Sequence, residues 1–200
     1  MPIIEVHLFK GYSAPVRTRL INALTDAFRM VLPAPPASIT VMLHELEREN
    51  YMRGGAMRRR GEALEEPTAL MLTYLAAVER GDYALADSYI TDDCEYHLPG
   101  GVVVDSPAKV IAWATARSKV MGIAITGTET GPGERGPVVH LRGLLSGEWH
   151  DGGSFKDVRM CTRYSFDRNQ ICRVDLWNDL ADHALARGGF RVAAPDGDGG

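Results

Sequence analysis

The stretch that decides the fold of the amino-terminal part is PIIEVHLFKGYSAPV, residues 2–16. Apolar and polar residues alternate over its first half, a period-2 pattern that predicts a strand over residues 2–9. Pro15 then suits the first turn of a helix, and apolar residues recur at helical spacing up to the breaker LPAPP at 32–36. A second strand is predicted at 39–44. Strand, helix and strand in this order form a βαβ unit, whose strands we expect to be parallel.

Charge divides the chain into two parts of opposite sign. Residues 1–60 carry nine Lys and Arg against five Asp and Glu, a net of +4, and the other 140 residues carry a net of −8. Such a split favours two domains. The basic run Arg58–Arg60 turns acidic within a few residues, which puts the boundary near Gly61 and predicts a linker over 61–67. We interpret the three arginines as a solvated hinge.

The remainder of the chain reads as helices followed by long strands. Helices are predicted over 69–80, 83–90 and 106–121, with a short strand at 94–98. An antiparallel sheet is then predicted from strands at 123–129, 138–150, 154–166 and 171–178. This order is typical of an α+β fold. Residues 188–200, rich in Gly, Asp and Ala, are expected to be a disordered tail.

Composition excludes several functional classes. With 45% hydrophobic and 24% charged residues, the chain has the composition of a globular protein, and its net charge of −4 argues against general nucleic-acid binding. No apolar run approaches the roughly 18–20 residues that cross a membrane. The amino terminus lacks a secretion signal, so we expect a cytoplasmic protein. The three cysteines have no CxxC spacing and are interpreted as reduced core or strand residues.

Residues 2–60 resemble the 4-oxalocrotonate tautomerase family. The resemblance rests on PIIEVHLFKGYS, the helix up to residue 32, the strand ITVMLHE and the closing ENYMRGG, in the order and spacing of that family. It implies that an amino-terminal proline moves a proton between carbons of a 2-oxo or enol acid. It also implies two substrate-binding arginines, an aromatic residue in the pocket, and assembly into oligomers in which neighbouring subunits complete each site.

Carried over to this chain, the resemblance implies a proline base and an aromatic pocket residue. Pro2 matches the base, provided that Met1 is removed and leaves a secondary amine at the amino terminus. Such an amine needs only a modest downward pKa shift to act as a base at neutral pH. Tyr51 matches the aromatic residue.

Both arginine positions of the family are occupied by other residues here. Tyr12 and Thr40 stand at these positions, which argues against a dicarboxylate substrate. Tyr12 could donate a hydrogen bond to a carbonyl or enolate oxygen. Arg53 in the predicted hairpin could replace one of the cations, and a solvated Arg53 is the alternative.

A second resemblance covers residues 68–185. ALMLTYLAAVERGDYALADSYITDDCEYHLPGG, the helix at 106–121 and the ending YSFDRNQICRVDLWNDLADH are similar to the SnoaL-like branch of the NTF2-like fold. That fold implies a curved sheet wrapped around helices to form a conical pocket, in a domain we place at 68–187. Members include polyketide cyclases, in which an aspartate acts as acid and base, and many others that only bind ligands or build oligomers.

The last predicted strand carries a polar face that suggests a second site. If this face looked into the cone, Asp175 would be an acid/base candidate with a raised pKa. The alternative is a set of solvent-facing residues and ion pairs on the sheet surface. The pocket candidates are His97, Asp157, Arg159, Asp175 and Trp177.

No metal site is predicted. Glu148 and His150 share a strand face and His140 lies upstream, but no third ligand has recognisable spacing. His7 and His44 lie on predicted strands and are interpreted as structural residues.

The sequence therefore predicts an α+β fusion whose first domain is a tautomerase with Pro2 as general base. It would act on a small enolisable 2-oxo acid or related carbonyl compound, without a cofactor, as a homo-oligomer. Two alternatives stay open for the second domain: a polyketide-cyclase-like activity, or non-catalytic binding of a small ligand.

Overall fold

A computed structural model describes residues 2–189 of the 200-residue chain. The chain folds into two compact units, one ending at Ala63 and the other starting at Leu64. Most of the tail expected over 188–200 lies outside the described residues. No helix in the described part of the chain is long and apolar enough to cross a lipid bilayer.

The first unit is built on two strands and one helix. Strand β1 spans Ile3–Phe9, helix α1 spans Ala14–Arg29 and strand β2 spans Thr40–Leu46. The strands pair in parallel, with Ile3 opposite Thr40 at the start of the ladder. These elements confirm the βαβ order and the parallel pairing that the sequence predicts.

Helix α1 starts where the sequence predicts but buries little. Ser13 precedes it in an extended conformation and Pro15 occupies its first turn, where the missing N–H of proline has no helical partner to lose. The helix ends at Arg29, shortly before the predicted end, and none of its residues is buried. Within one chain, the first unit therefore closes no core around this helix.

A short hairpin follows β2 in the first unit. Strand β3, Met52–Arg53, pairs with strand β4, Ala56–Met57. Gly54 and Gly55 between them both have positive φ angles, 63° and 75°. A two-residue hairpin turn requires such angles, and glycine adopts them without steric cost. The turn predicted from ENYMRGG is thus a β-hairpin.

The second unit opens with two helices that are capped by acidic side chains. Helix α2 spans Pro67–Glu79, and the Glu66 carboxylate accepts hydrogen bonds from two amides of its first turn. Helix α3 spans Tyr83–Ser88, and the Asp82 carboxylate accepts one such bond. These contacts satisfy N–H groups that have no partner within the helix.

A six-stranded sheet and two further helices complete the second unit. In chain order they are β5 Ile90–Leu98, β6 Val102–Val104, α4 Pro107–Thr115, β7 Ser118–Pro132, β8 Pro137–Trp149, β9 Ser154–Asp167, β10 Gln170–Asn178 and α5 Leu180–Arg187. The spatial order of the strands is β6, β5, β10, β9, β8, β7. The strands from β7 to β10 each pair antiparallel with the next strand along the chain, as predicted. Strand β10 also pairs in parallel with β5, which was not predicted.

Two helix predictions are too long because strand pairing overrides them. The helix expected over 106–121 ends at Thr115, and β7 begins at Ser118 in register with β8. The helix expected over 83–90 ends at Ser88, before β5 begins. Ladder hydrogen bonds to a distant strand decide such segments, and the local pattern does not contain that information. Helix α5 was not predicted.

The core of the second unit lies between α2 and one face of the sheet. Met71 and Ala77 of α2 are fully buried in one cluster with Tyr96, Val158 and Phe166 of the strands. The three cysteines lie on strands of this sheet and are free, as the sequence predicts.

Met71 and Leu72 offer a matched test of this core, since they are chain neighbours of similar size. Met71 is 0% exposed and Leu72 is 43% exposed. We predict that Met71→Ala lowers the free energy of unfolding by about 2–5 kcal/mol, through lost burial and the cavity left behind. Leu72→Ala should change it by about 0.5 kcal/mol. Urea unfolding followed by circular dichroism measures both, and equal losses would contradict the packing described.

Candidate active site

Pro2 immediately precedes β1 and is held there by a backbone hydrogen bond. The Thr40 amide donates to the Pro2 carbonyl oxygen at 3.0 Å, and both residues are half-buried. The backbone of Pro2 is therefore positioned by the pairing of β1 with β2. Thr40, which stands where the family resemblance implies an arginine, is its neighbour in the same chain.

Tyr12 and Tyr51 lie at the opposite end of β1. The Tyr51 ring packs edge-on against Phe9, the last residue of β1, with ring centroids 5.2 Å apart. Tyr12 follows Phe9 closely along the chain. Because β1 has seven residues, its length is about 20 Å at a rise of roughly 3.3 Å per residue. One protomer therefore keeps Pro2 far from both tyrosines.

The Tyr12 side chain is engaged by the end of its own unit. Its hydroxyl donates to the Gly61 carbonyl oxygen at 2.9 Å. Arg60 covers the ring, with its guanidinium carbon 4.9 Å from the ring centroid, and its Nη1 donates to the Gly11 carbonyl oxygen. The Tyr12 hydroxyl is thus committed to a backbone oxygen, while a cation stands beside it.

Arg60 was missed as a candidate in the sequence, where its basic run was interpreted as a solvated hinge. Arg60 is exposed, as that interpretation expects, and its side chain also donates a hydrogen bond within the first unit. The only sequence signal is a run of arginines directly after the hairpin. Which of them folds back depends on the path of the chain after residue 57.

A cavity of about 260 Å³ adjoins the Tyr12 end of β1. Its apolar lining is Phe9 and Leu46, and its charged lining comprises Lys10, Arg48, Arg59, Arg60, Glu47 and Glu49. Cations outnumber carboxylates, so the cavity favours an anionic ligand. Arg53 is exposed on β3 and does not line it.

The polar face of β10 does not look into the core of the second unit. Val174 and Leu176 pack in the core cluster, and strand alternation places Asp175 on the opposite face. There Asp175 is paired with Arg163 and Arg173. The condition under which Asp175 would serve as an acid/base inside the cone is therefore not met.

Two arginines hold the pKa of Asp175 below its ordinary value. Burial by itself would raise this pKa, since Asp175 is only 5% exposed. Arg173 donates to both carboxylate oxygens at 2.7–3.0 Å, and Arg163 donates at 3.4 Å. These hydrogen bonds and positive charges outweigh burial. The raised pKa that a position inside the cone would give therefore does not apply, and Asp175 stays ionised at neutral pH.

The other four candidates of the second unit lie outside its buried core. His97 contacts the Glu95 carboxylate at 2.9 Å, and Arg159 pairs with Asp179 at 2.7 Å. Trp177 is 54% exposed, and Asp157 is exposed with a positive φ of 56°. Arg159 and Trp177 line one cavity of about 600 Å³, which His97, Asp157 and Asp175 do not line. The structure therefore brings only part of the predicted set together.

The core side of the sheet holds phenols and a thiol in place of a base. The Tyr74 and Tyr96 hydroxyls are hydrogen-bonded at 3.0 Å, and burial raises the pKa of both above the ordinary value. Burial also raises the pKa of Cys94 to about 12. Within residues 2–189, Asp175 is the only carboxylate or imidazole that is buried. The core side therefore lacks a group that exchanges protons near pH 7.

A mostly apolar cavity of about 310 Å³ lies in the second unit. Its lining includes Trp113, Trp149, Asn178, Leu180 and Ala184. The indole N–H groups of both tryptophans are buried and lack a hydrogen-bond partner among the described residues. Unsatisfied buried donors are costly, so a ligand with acceptor oxygens would be stabilised if it reached them.

Glu148 and His150 each interact with a different residue. Glu148 pairs with Lys119 at 3.0 Å, and a ring nitrogen of His150 lies 2.8 Å from the Thr115 carbonyl oxygen. The pair therefore does not converge on a shared point.

Asp175 provides a test through the pH dependence of stability. Because its pKa is lowered on folding, its contribution is full above the unfolded value, about 3.9, and is lost as pH falls through the folded value. We predict that Asp175→Asn lowers the free energy of unfolding by about 1–3 kcal/mol near pH 7, since two arginines lose an ionised partner. The deficit should shrink below about pH 4.

Denaturant titrations at about pH 7, 5 and 3 measure this deficit. Asp92→Asn is the matched control, because Asp92 is exposed on the neighbouring strand β5 and forms no ion pair within the described part of the chain. A deficit for Asp175→Asn that is as large at low pH as at neutral pH would contradict the assignment.

The first unit matches a known family. Residues 2–60 match the family described as Tautomerase enzyme. The "Probable tautomerase" of Lactiplantibacillus plantarum is 33% identical over 63 residues, which are 32% of this chain and 98% of that protein. The "Probable tautomerase" of Streptococcus mutans is 28% identical over 61 residues, 30% of this chain and 100% of that protein.

The second unit has the fold of NTF2-like proteins. An NTF2-like protein of Burkholderia thailandensis matches with a TM-score of 0.50 and 19% identity, over 62% of this chain and 98% of that one. IdmH of Streptomyces antibioticus, a proposed polyketide cyclase, matches with a TM-score of 0.50 and 17% identity, over 63% and 100%. TerC, crystallised with polyporic acid, matches with a TM-score of 0.50 and 17% identity, over 60% and 98%. At these identities the similarity shows the fold.

The two units thus have separate relatives. The βαβ order and parallel pairing of the first unit agree with the sequence match, and the curved sheet of the second agrees with the structural matches. The chain belongs to the tautomerase family, which its residues 2–60 match, and an NTF2-like unit follows them.

Proposed function

We propose that this protein is a keto–enol isomerase with Pro2 as its general base. It would move a proton in an enolisable 2-oxo acid or a related carbonyl compound. Membership of the tautomerase family supports isomerase-type activity in the first unit. The observation that carries the assignment is the hydrogen bond from the Thr40 amide to the Pro2 carbonyl, because it holds the proline in a defined position.

An amino-terminal secondary amine is suited to this proton transfer. The ordinary pKa of an amino-terminal amine is about 7.7–8.0, so a small downward shift leaves it neutral at pH 7. In the enol-to-keto direction, the Pro2 nitrogen takes the enol hydroxyl proton and returns a proton to the carbon next to the forming carbonyl. Negative charge develops on the substrate oxygen, where a donor or cation stabilises it. This chemistry needs no cofactor.

Arg60 is our candidate for the cation that binds the substrate. It stands beside Tyr12, one of the positions where the family resemblance implies an arginine, and one of its nitrogens donates to the Gly11 carbonyl. The remaining guanidinium N–H groups can bind a carboxylate. Thr40 at the other position is uncharged. One guanidinium fits a substrate with one carboxylate better than a dicarboxylate.

We propose that the complete site forms between chains of a homo-oligomer. Pro2 and Tyr12 lie at opposite ends of β1, so a small substrate contacts both only if a second chain supplies one of them. Two observations support assembly. Helix α1 has no buried residue, and Ile3 and Met42 expose 57% and 37% of their surface on one face of the two-stranded sheet. A unit of this size buries too little surface to be stable by itself.

The domain limits and the compartment remain proposals. We place domains at 1–60 and 68–187 with a linker at 61–67, and the lack of helix or strand over 58–66 supports this division. The three free cysteines support a reducing, cytoplasmic location. The net charge of −4 supports a small-molecule substrate over nucleic acid.

A second candidate function is binding of a small ligand by the NTF2-like unit. The cavity beside Trp113 and Trp149, with two unpaired indole donors, favours it. The relatives in fold include a proposed polyketide cyclase and a protein crystallised with polyporic acid. Without a buried base on the described core side, non-catalytic binding is better supported here than a cyclase.

Replacing Pro2 tests the proposed base. We predict that Pro2→Ala lowers kcat/KM for the enol-to-keto conversion of phenylenolpyruvate by about 10²–10⁴-fold, the usual contribution of a general base. The conversion is followed by absorbance, and intact mass first establishes that Met1 is absent. Pro33→Ala, in the exposed loop after α1, is the matched control and should keep the wild-type rate. Equal rates for wild type and Pro2→Ala, or retained Met1, would rule out the proline base.

Replacing Arg60 tests the proposed cation separately. We predict that Arg60→Ala raises KM for phenylenolpyruvate about 10–100-fold, the loss expected for one charged hydrogen-bonding contact. Arg58→Ala is the matched control, because Arg58 belongs to the same basic run and does not line the cavity. Similar KM values for the two variants would show that Arg60 does not bind the substrate.

A further inference from the structure

Two imidazoles and a carboxylate converge on the exposed face of the first unit's sheet. His7 of β1 stands opposite His44 of β2, and their rings stack with centroids 4.8 Å apart and planes inclined by 19°. Glu5 precedes His7 on the same face, and its Oε2 lies 3.8 Å from His44 Nε2. One ligand atom from each residue lies within 4.8 Å of the other two.

We propose that Glu5, His7 and His44 bind a first-row divalent transition-metal ion such as Zn²⁺. Two imidazole nitrogens and one carboxylate oxygen form a donor set that such ions accept, and three protein ligands leave a fourth position for water. The parallel register creates the set, because it places the two histidines side by side and the period of the strand brings Glu5 to the same face.

The three side chains need only small rotations to reach a metal ion. With metal–ligand bonds of about 2.1 Å, ligand atoms in a tetrahedral site are roughly 3.4 Å apart. The three atoms, now within 4.8 Å of one another, must therefore approach by about an ångström or somewhat more. Within one chain all three side chains are exposed, and apart from the stacking of the two rings no packing opposes rotation about their side-chain bonds.

Few other interactions compete for these ligands. Among residues 2–189, the 3.8 Å contact with Glu5 is the only ion pair of His44, and the His7 ring stacks on the His44 ring without an ion pair of its own. By contrast, His97 is held by Glu95 at 2.9 Å and has no second imidazole beside it. The cluster on β1 and β2 therefore keeps free ring nitrogens where a metal ion can reach them.

The site is separate from the proposed base, and it shares its sheet face with Ile3 and Met42, the residues whose exposure supports assembly. His7 lies four residues along β1 from Ile3, which pairs with Thr40. The two imidazoles are therefore about 13 Å, and Glu5 about 7 Å, from the start of the ladder next to Pro2. A bound ion would link β1 to β2 by coordination as well as by hydrogen bonds. Its expected effect is to stabilise the two-stranded sheet.

Zn²⁺ titration of the full-length chain by isothermal calorimetry tests the site. We expect one high-affinity site per chain and an affinity at least about tenfold lower in His7→Gln and in His44→Gln, since losing a ligand should cost no less than losing an outer contact of a metal site. Glu5→Gln should also bind more weakly. Visible absorption of bound Co²⁺ provides a second readout, because its intensity separates four-coordinate from six-coordinate geometry.

His97→Gln is the matched control, since it removes a histidine beside a carboxylate that lacks a second imidazole. It should bind Zn²⁺ as the wild type does. Circular dichroism checks the fold of every variant, and Glu5→Gln, which keeps both rings, serves as the test if a histidine variant misfolds. No binding by the wild type, or unchanged affinity in the variants of the cluster, would overturn the proposal.

Discussion

The parallel pairing of β1 with β2 is the constraint on which the first unit depends. Its first hydrogen bond holds Pro2 beside Thr40, and its register sets His7 opposite His44. Because the ladder is seven residues long, it also separates Pro2 from Tyr12 by the length of a strand. One pairing thus positions the candidate base and creates the exposed imidazole cluster. It is also the reason for our proposal that a second chain completes the active site.

The second unit depends on a sheet with two different faces. One face packs against α2 and carries apolar side chains, phenols and a thiol. The other carries Asp175 with Arg163 and Arg173, whose charges keep the carboxylate ionised despite its burial. Proton-transfer chemistry needs a group that changes charge near neutral pH. The described core side holds none, so its cavity is better suited to binding than to acid/base catalysis.

Much of the fold could be predicted from local pattern. Alternation over β1, helical spacing over α1 and the long strands β8 to β10 are strong periodic signals that tertiary contacts do not oppose. The predictions failed where pairing with a strand that is distant in sequence decides the secondary structure. Residues 118–121 join β7 because β8 lies beside them, and β10 pairs in parallel with β5, which is far away in sequence. Propensity contains no information on either contact.

The sequence alone determined the βαβ unit and the position of Pro2 before its first strand. It also determined that Tyr12 and Thr40 stand where the family resemblance implies arginine. Tertiary structure decided which residues these side chains meet. A period of two tells which residues share a strand face, but not which face packs on the core, and so the sequence left both placements of Asp175 open. Arg60 reaches Tyr12 only because the chain after the hairpin turns back on β1. Contacts between residues remote in sequence depend on chain path and packing, which no local pattern encodes.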